Sequence, residues 1–425
     1  MLALILFGIF FILLFLNVPI ATSLAMSSIC ALLYEVLPLA IIPNNLYSAT
    51  SKFVLLAIPF FILAGNIMEK AGISRQLIDF CKTLVGHRKS GMAAVCVIVS
   101  CFFAAISGSG PATVAALGLI LIPAMVNSGY DKATSTSLMA TTGAIGLIIP
   151  PSIAFVIFGS ITGQSVGALF ASGIIPGLLL GLVLLIAMQY ISRDRKLVLM
   201  PKASGAERWS AFKKAFGGLM MPVIILGGIY GGIFTPTEAA AVAAAYGMIL
   251  GLVTKNLKLT DIMPVLKDSV SQTAVVMFIV ATASLFAWAL TVTGVAGEAS
   301  RLLINLCGDN KYVFLLIINI ILLIAGCFID ANSAQYIIIP ILFPVSQMLG
   351  IDPIHLGCVI VMNLSIGLVT PPVGINLYVA CGISGTSLKA ISRAVVPFVI
   401  ASIFTLLLIT YIPPIATWLP SILVD

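Results

Sequence analysis

Charge is what this sequence has least of. Only 8% of its 425 residues are Asp, Glu, Lys or Arg, while 61% are hydrophobic and the mean hydropathy is +1.21. A soluble globular domain carries roughly 25% charged residues, so that class is excluded and a polytopic membrane chain is left. Residue sets for catalysis are also lacking. The two histidines, His87 and His355, have no metal-ligand partners nearby, and there is no HExxH and no Ser/His/Asp set. No GxxxxGK[ST] phosphate loop is present, which removes ATP hydrolysis, and the chain reads as not an enzyme. The eight cysteines show no CxxC spacing and lie largely in apolar runs, where they serve as small packing residues. The N-terminus lacks a basic n-region, and its apolar run continues through Asn17-Val18-Pro19 into another, so the first helix is expected to be retained.

What is present is a series of apolar runs interrupted by Gly and Pro, which suits membrane helices rather than the alternating strands of an outer-membrane barrel. Spans are expected near 2–16, 19–37, 53–69 and 173–191, then near 217–233, 236–253, 270–293 and 395–413. Between them fall a hairpin at about 91–126 and a broken helix at about 136–163, and again a hairpin at about 312–348 and a broken helix at about 356–383. The division is a first repeat over 1–191, a polar linker over 192–216 and a second repeat over 217–425.

The repeat is visible in the residues. A single shift of 221 positions carries Pro123 onto Pro344, Ile145-Gly146-Leu147 onto Ile366-Gly367-Leu368, Pro150-Pro151 onto Pro371-Pro372, and Pro176 onto Pro397. Five crossings per half would set the halves upside down to each other, and the charges fit that arrangement. One side collects Lys70, Arg75, Lys82, Arg88, Lys89 and Lys132, the seven linker cations from Arg193 to Lys214, and Lys255, Lys258, Lys267, Lys389 and Arg393. The other side holds only Lys52, Arg301 and Lys311. Cytoplasmic loops carry the Lys and Arg excess, so the linker is expected in the cytoplasm and both termini in the periplasm. Cations sorted by loop rather than gathered in one stripe also argue against a nucleic-acid partner. The expected fold is an all-α polytopic membrane protein, an inverted repeat with two re-entrant helical hairpins and two broken helices, of the kind secondary transporters use.

Candidate site residues sit where helix breakers interrupt the apolar runs, because irregular backbone at membrane depth must face protein or a water-filled cavity. At the first tip, Ser107-Gly108-Ser109-Gly110-Pro111 offers hydroxyls, the carbonyls of one half-helix and the free N–H groups of the next. A hard cation suits the oxygens, and a carboxylate suits the N–H groups. The competing reading is close helix packing by small residues. At the second tip, Asp330-Ala331-Asn332-Ser333 brings an acid to membrane depth, which marks either an ion or substrate path or a charge at a hairpin end. The doublets Pro150-Pro151 and Pro371-Pro372 free carbonyls around Gly146 to Ile149 and Gly367 to Thr370, while Ser152, Thr370 and Asn376 can face ion or substrate. Glu238 reads either as a helix cap beside Thr235 or as a functional acid.

The runs GIFTPTEAAAV (Gly232 to Val242), LLAIPFFILAGNIM (Leu55 to Met68), SGSGPATVAA (Ser107 to Ala116), IIPPS and IGLVTPPVGINLY (Ile366 to Tyr378) resemble the large membrane subunit of tripartite ATP-independent periplasmic (TRAP) transporters, in the ion transporter superfamily. The resemblance covers essentially the whole chain. It implies a bacterial inner-membrane subunit that uses sodium as coupling ion, without an organic cofactor, and moves a small organic acid by an elevator motion. Its implied partners are a small four-helix membrane subunit, a periplasmic substrate-binding protein and membrane lipid. Carried over by position, the implied sodium regions fall on Ser107, Gly108, Ser109, Gly146, Pro150, Ser333, Gly367, Thr370 and Pro371, and the substrate regions on Ser107, Ser109, Ser152, Asp330, Asn332 and Asn376. The substrate classes it admits are C4-dicarboxylates, sialic acid and other sugar acids. No Lys or Arg lies in either core stretch, so a carboxylate would rest on helix N-termini, and the acid at Asp330 tilts the expectation toward a polyhydroxylated monocarboxylate such as sialic acid. A stand-alone symporter of the same superfamily, needing no binding protein, is the alternative.

Overall fold

The computed structural model describes residues 1–424, and all regular structure among them is helical. In the first half, α1 (Leu2–Phe15), α2 (Ile20–Tyr34), α3 (Ile41–Thr50) and α4 (Ala57–Lys70) lead into a short α5 (Ile73–Val85). A hairpin of α6 (Gly91–Ser107) and α7 (Gly110–Asn127) follows, then a broken helix, α8 (Lys132–Ala144) and α9 (Ile153–Thr162), and α10 (Val166–Ile191). The second half repeats the order with α11 (Gly205–Tyr230), α12 (Pro236–Val253), α13 (Leu259–Val292) and a short α14 (Val295–Cys307). Its hairpin is α15 (Lys311–Phe328) and α16 (Ala331–Met348), and its broken helix is α17 (Pro353–Gly367) and α18 (Ile375–Ser384). Then α19 (Leu388–Ala394) bends by 47° into α20 (Val396–Tyr411), and two single turns, α21 (Pro414–Thr417) and α22 (Pro420–Leu423), close the described chain.

Side-chain caps set many of these starts. Ser204 and Glu207 form a reciprocal capping box at α11, and Thr235 and Glu238 form another at α12, with the Thr235 N–H donating to Glu238 Oε2 at 2.8 Å. Glu238 is thus a helix cap. Asp131, Asn310 and Asp352 cap α8, α15 and α17 by accepting from backbone N–H groups of the first turn.

Contacts between element ends sort into two sets. In one, the Val198 N–H donates to Ser128 O at 3.0 Å, Lys70 pairs with Asp261 at 3.6 Å, and Ser137 Oγ donates to Ile391 O at 3.2 Å. In the other, Lys52 Nζ donates to Ser160 O at 2.6 Å, Tyr230 OH to Gly167 O at 3.4 Å, and His355 Nε2 meets Ile409 O at 3.0 Å. Helices α4, α10, α11 and α20 and the first broken helix run from one set to the other, while each hairpin returns to the set it left. The first hairpin opens at Ser128, in the set rich in Lys and Arg. The second opens at Tyr312, whose ring lies 6.2 Å from that of Tyr411, in the opposite set. This is the inverted arrangement. Among the described residues seven helices are long and apolar enough to cross a membrane, and two of these, α7 and α15, are hairpin arms whose tips stop at the breaks of the broken helices.

Buried polar pairs tie each hairpin to its broken helix. Asn363 Nδ2 on α17 donates to Asn319 Oδ1 on α15 at 2.6 Å, and Asn319 Nδ2 donates to Thr410 Oγ1 on α20 at 3.1 Å. In the first half, Ser100 Oγ on α6 donates to Thr142 Oγ1 on α8 at 3.1 Å. In an apolar surrounding such polar pairs are costly to break, so they favour one register of hairpin against broken helix.

Six helices lie outside the expected spans, the short α19, α21 and α22 near the C-terminal end and three earlier in the chain. In α5, Ile73, Leu77, Ile78 and Cys81 are buried on one face while Arg75 and Asp79 alternate with them, and α14 has the same one-sided character. Helix α3 also lies between the expected spans. The segment expected as linker is helical from Gly205 onward, where Trp209 stacks on Phe212 at 5.4 Å and Phe212 meets Phe80 of α5 at 5.7 Å. Aromatic packing on α5 orders the stretch that its charge alone would leave as a loop.

Candidate substrate and ion site

Both hairpin tips face one cavity of about 550 Å³. Ser107, Gly108, Ser109 and Pro111 line it from the first tip, and Asp330, Ala331 and Asn332 from the second. Leu147 and Ile153 come from the first break, Leu368 and Ile375 from the second. The remaining wall is α4 and α13, which contribute Asn66, Glu69, Ser271 and Gln272. Those last four went unnoticed in the sequence because they have no counterpart under the 221 shift. The signal available was a polar residue, Asn66, inside the run Leu55 to Met68.

Glycines hold the tips against the breaks. Gly108 adopts φ +60°, and a Cβ there would lie 2.8 Å from Pro151 O, while Gly108 O accepts from the Ile153 N–H at 3.4 Å. On the other side, a Cβ on Gly367 would lie 2.6 Å from the Gly326 carbonyl carbon. Both proline doublets, Pro150-Pro151 and Pro371-Pro372, are joined by cis bonds.

At the first tip the oxygens converge. Ser107 Oγ and Thr113 Oγ1 lie 2.8 Å apart, Thr113 Oγ1 donates to Ser109 O at 2.8 Å, and Ser107 Oγ to the same carbonyl at 3.3 Å. Gly146 of the broken helix completes the cradle, since a Cβ there would stand 2.8 Å from Thr113 Oγ1 and 2.9 Å from Ser109 O. Thr113, within the quoted run but not singled out, is the central member. The arrangement offers two hydroxyls and a carbonyl at the end of α6, where the helix dipole is negative.

The other expected residues fall into different surroundings. Asp330 caps α16: Oδ2 accepts from the N–H groups of Asn332 at 3.0 Å and Ser333 at 3.1 Å, and Oδ1 accepts from Ser333 Oγ at 2.5 Å. Ser152 caps α9 and donates back to Leu147 O, away from the cavity. Thr370 Oγ1 donates to Ile366 O at 2.8 Å, and Leu368 O accepts from the Asn376 N–H at 3.0 Å, so part of the second break is satisfied internally. Asn376 Nδ2 donates to Ala140 O at 3.1 Å, while its fully buried Oδ1 has no partner. Pro150, Pro371, Gly367 and Ser333 support the breaks and the second tip without lining the cavity.

Helices α7, α9, α16 and α18 all begin at this cavity. Ser109, at the start of α7, caps nothing with its side chain, which leaves first-turn N–H groups of that helix available. The cavity walls carry no Lys or Arg. Converging helix N-termini give it positive potential from backbone alone, which suits an anion.

A family profile described as "Tripartite ATP-independent periplasmic transporter, DctM component" matches residues 7–415. The chain belongs to this family. It is similar to the C4-dicarboxylate TRAP transporter large permease protein DctM of Pseudomonas aeruginosa, with 44% identity over 89% of this chain and 88% of the relative. The isethionate TRAP transporter permease protein DctMQ of Oleidesulfovibrio alaskensis is 40% identical over 97% of this chain and 65% of its own length. The sialic acid TRAP transporter large permease protein SiaM of Vibrio cholerae is 36% identical over 89% of each. Among solved structures, the YdaH transporter of Alcanivorax borkumensis superposes with a TM-score of 0.62 at 15% identity over 88% of each chain, a likeness of fold. This TRAP large permease is accordingly a multi-pass membrane transport component and not an enzyme. In it, the two tips and two breaks that the repeat singled out surround a single cavity.

Proposed function

We propose that this permease imports a small organic acid across the bacterial inner membrane with sodium as the coupled ion, moving its hairpins and broken helices together against a scaffold in an elevator motion. The observation carrying the proposal is the cavity bordered by four helix N-termini, with an oxygen cradle of Ser107, Ser109 and Thr113 against Gly146 that reaches it through Ser107 and Ser109. A hard cation takes hydroxyl and carbonyl oxygens, and a carboxylate takes N–H groups at a helix start. The polar pairs Asn319–Asn363 and Ser100–Thr142 support movement of each hairpin with its broken helix.

The cytoplasmic side is the set of ends rich in Lys and Arg, which puts the N-terminus in the periplasm; the C-terminal residue, Asp425, lies outside the described residues. The cavity extends from the tips past Asn66 and Glu69 of α4 toward that side, so the form described faces the cytoplasm. A tripartite system calls for two further components, a small membrane subunit and a periplasmic binding protein. The acid is a four-carbon dicarboxylate in the first instance, by likeness to the relative at 44% identity. Asp330 counts less against a double anion than its charge suggests, because both its oxygens are engaged in capping α16. The test is uptake of labelled dicarboxylate and sugar acids by proteoliposomes holding the permease with its small subunit and binding protein. Uptake driven by an inward sodium gradient is expected. Equal uptake without sodium would refute the coupling, and equal uptake by the permease alone would refute the partners.

A further inference from the structure

Outside the transport cavity, one other recess gathers unneutralised charge. It measures about 320 Å³ and lies between the start of α6 and the end of α10, lined by Arg88, Lys89, Ser90 and Arg193. Among the described residues Arg88 and Lys89 have no acidic partner, and Arg193 meets only the exposed Asp194, at 3.2 Å. The recess ends on the N-terminus of a 17-residue helix whose N-cap residue, Ser90, makes no side-chain cap bond. Tyr130, 4% exposed, lies behind that helix start, its phenol oxygen beside the Ser90 hydroxyl and the Ala93 N–H. Three cations around a helix start whose N-cap side chain caps nothing form a site for a phosphate-type anion.

We propose that this recess binds the phosphate headgroup of an anionic phospholipid from the leaflet on the Lys- and Arg-rich side. An exposed aromatic argues for lipid over a soluble phosphate: Tyr190, 68% exposed with Arg193 of the recess over its ring at 4.7 Å, marks the headgroup level there. A lipid held there ties the loop that leads into the first hairpin, residues 86–90, to the start of the segment joining the two halves. Binding is independent of the ion and substrate assigned to the central cavity.

The test is native mass spectrometry of the detergent-solubilised full chain titrated with dioleoyl-phosphatidylglycerol, with dioleoyl-phosphatidylcholine as the neutral comparison. The double variant Arg88→Gln/Lys89→Gln should bind the anionic lipid about tenfold more weakly or worse, and Arg193→Gln should also weaken it. Lys389→Gln, elsewhere on the same side, should match the wild type. Arg193→Gln carries the test alone if the double variant does not fold. Unchanged phosphatidylglycerol binding in the folded groove variants overturns the site. Displacement of the lipid by an equal concentration of inorganic phosphate overturns the lipid assignment, while retention against a large excess of phosphate supports it.

Discussion

Thr113→Val tests the oxygen cradle most directly. The substitution keeps the branched shape and removes one oxygen, the one that lies 2.8 Å from both Ser107 Oγ and Ser109 O. Without an ion, the loss is a pair of neutral hydrogen bonds, each worth about 1 kcal/mol in net stability. With an ion, the lost ligand is comparable to a hydrogen bond to a charged group, about 1.5 to 3 kcal/mol, or roughly a tenfold to hundredfold loss of affinity. The sodium concentration for half-maximal uptake should therefore rise by at least about tenfold, with the maximal rate recovered at high sodium. Gly146→Ala attacks the same cradle from the opposite wall, because its methyl group would stand 2.8 Å from Thr113 Oγ1 and 2.9 Å from Ser109 O. The assay is sodium-titrated uptake in proteoliposomes, paired with thermal unfolding with and without sodium. Sodium should stabilise the wild type and leave both variants nearly unmoved. If the two variants keep wild-type sodium titrations, the cradle is hairpin packing and the ion binds elsewhere.

Asp330→Ala should lower thermal stability by about 0.5 to 2 kcal/mol through loss of the α16 cap and slow uptake, whereas Asp330→Asn, which retains a capping oxygen, should lie much closer to wild type in both assays. Thr235→Ala should cost about 1 kcal/mol in thermal unfolding through its lost capping box and leave uptake per folded molecule unchanged. In a background with the native cysteines replaced, Ser204→Cys should react with an impermeant maleimide only from the cytoplasm and Asp309→Cys only from the periplasm; labelling of both from one side would end the inverted topology.

The hairpins and broken helices were legible because proline and glycine at matching positions leave marks that a single sequence shows twice. The first tip and first break differ from the expected bounds by only a few residues, with α6 to α7 spanning Gly91–Asn127. Helices α5 and α14 were not legible by that route. Their apolar residues recur with helical period on one face and never form a long run, so they hide from a search for spans. The site was legible in outline, while the local bonding of its hydroxyls was not. Residue type brought Ser152 and Thr370 forward, yet each donates to a nearby backbone carbonyl, Leu147 O and Ile366 O, as hydroxyl residues near helix ends often do. Thr113 and the α4 and α13 residues Asn66 and Gln272 needed the packing, since only the three-dimensional fold sets them beside the tips.

The capping role of Asp330 has a consequence for substrate charge. As a free carboxylate at the cavity it would oppose a double anion, and a sugar monocarboxylate would be favoured. Its oxygens instead accept two N–H groups and a hydroxyl of its own helix start, so its charge is largely balanced by the α16 dipole it caps. The other three helix starts, α7, α9 and α18, still face the cavity, each contributing about half a positive charge before solvent screening. That potential is spread over backbone rather than concentrated in a guanidinium fork, which would grip a carboxylate by two short bonds and release it slowly. A carrier must let go on every cycle, and diffuse donors suit that need. It follows that charge preference comes from the helix starts and not from the acid. Asp330→Asn should therefore leave the ratio of dicarboxylate to sugar-acid inhibition of uptake the same, within about twofold, since Asn caps a helix start about as well as Asp and the charge removed is one the helix start already balances. A shift of that ratio by tenfold toward the dicarboxylate would make Asp330, in the cavity wall, an uncompensated charge.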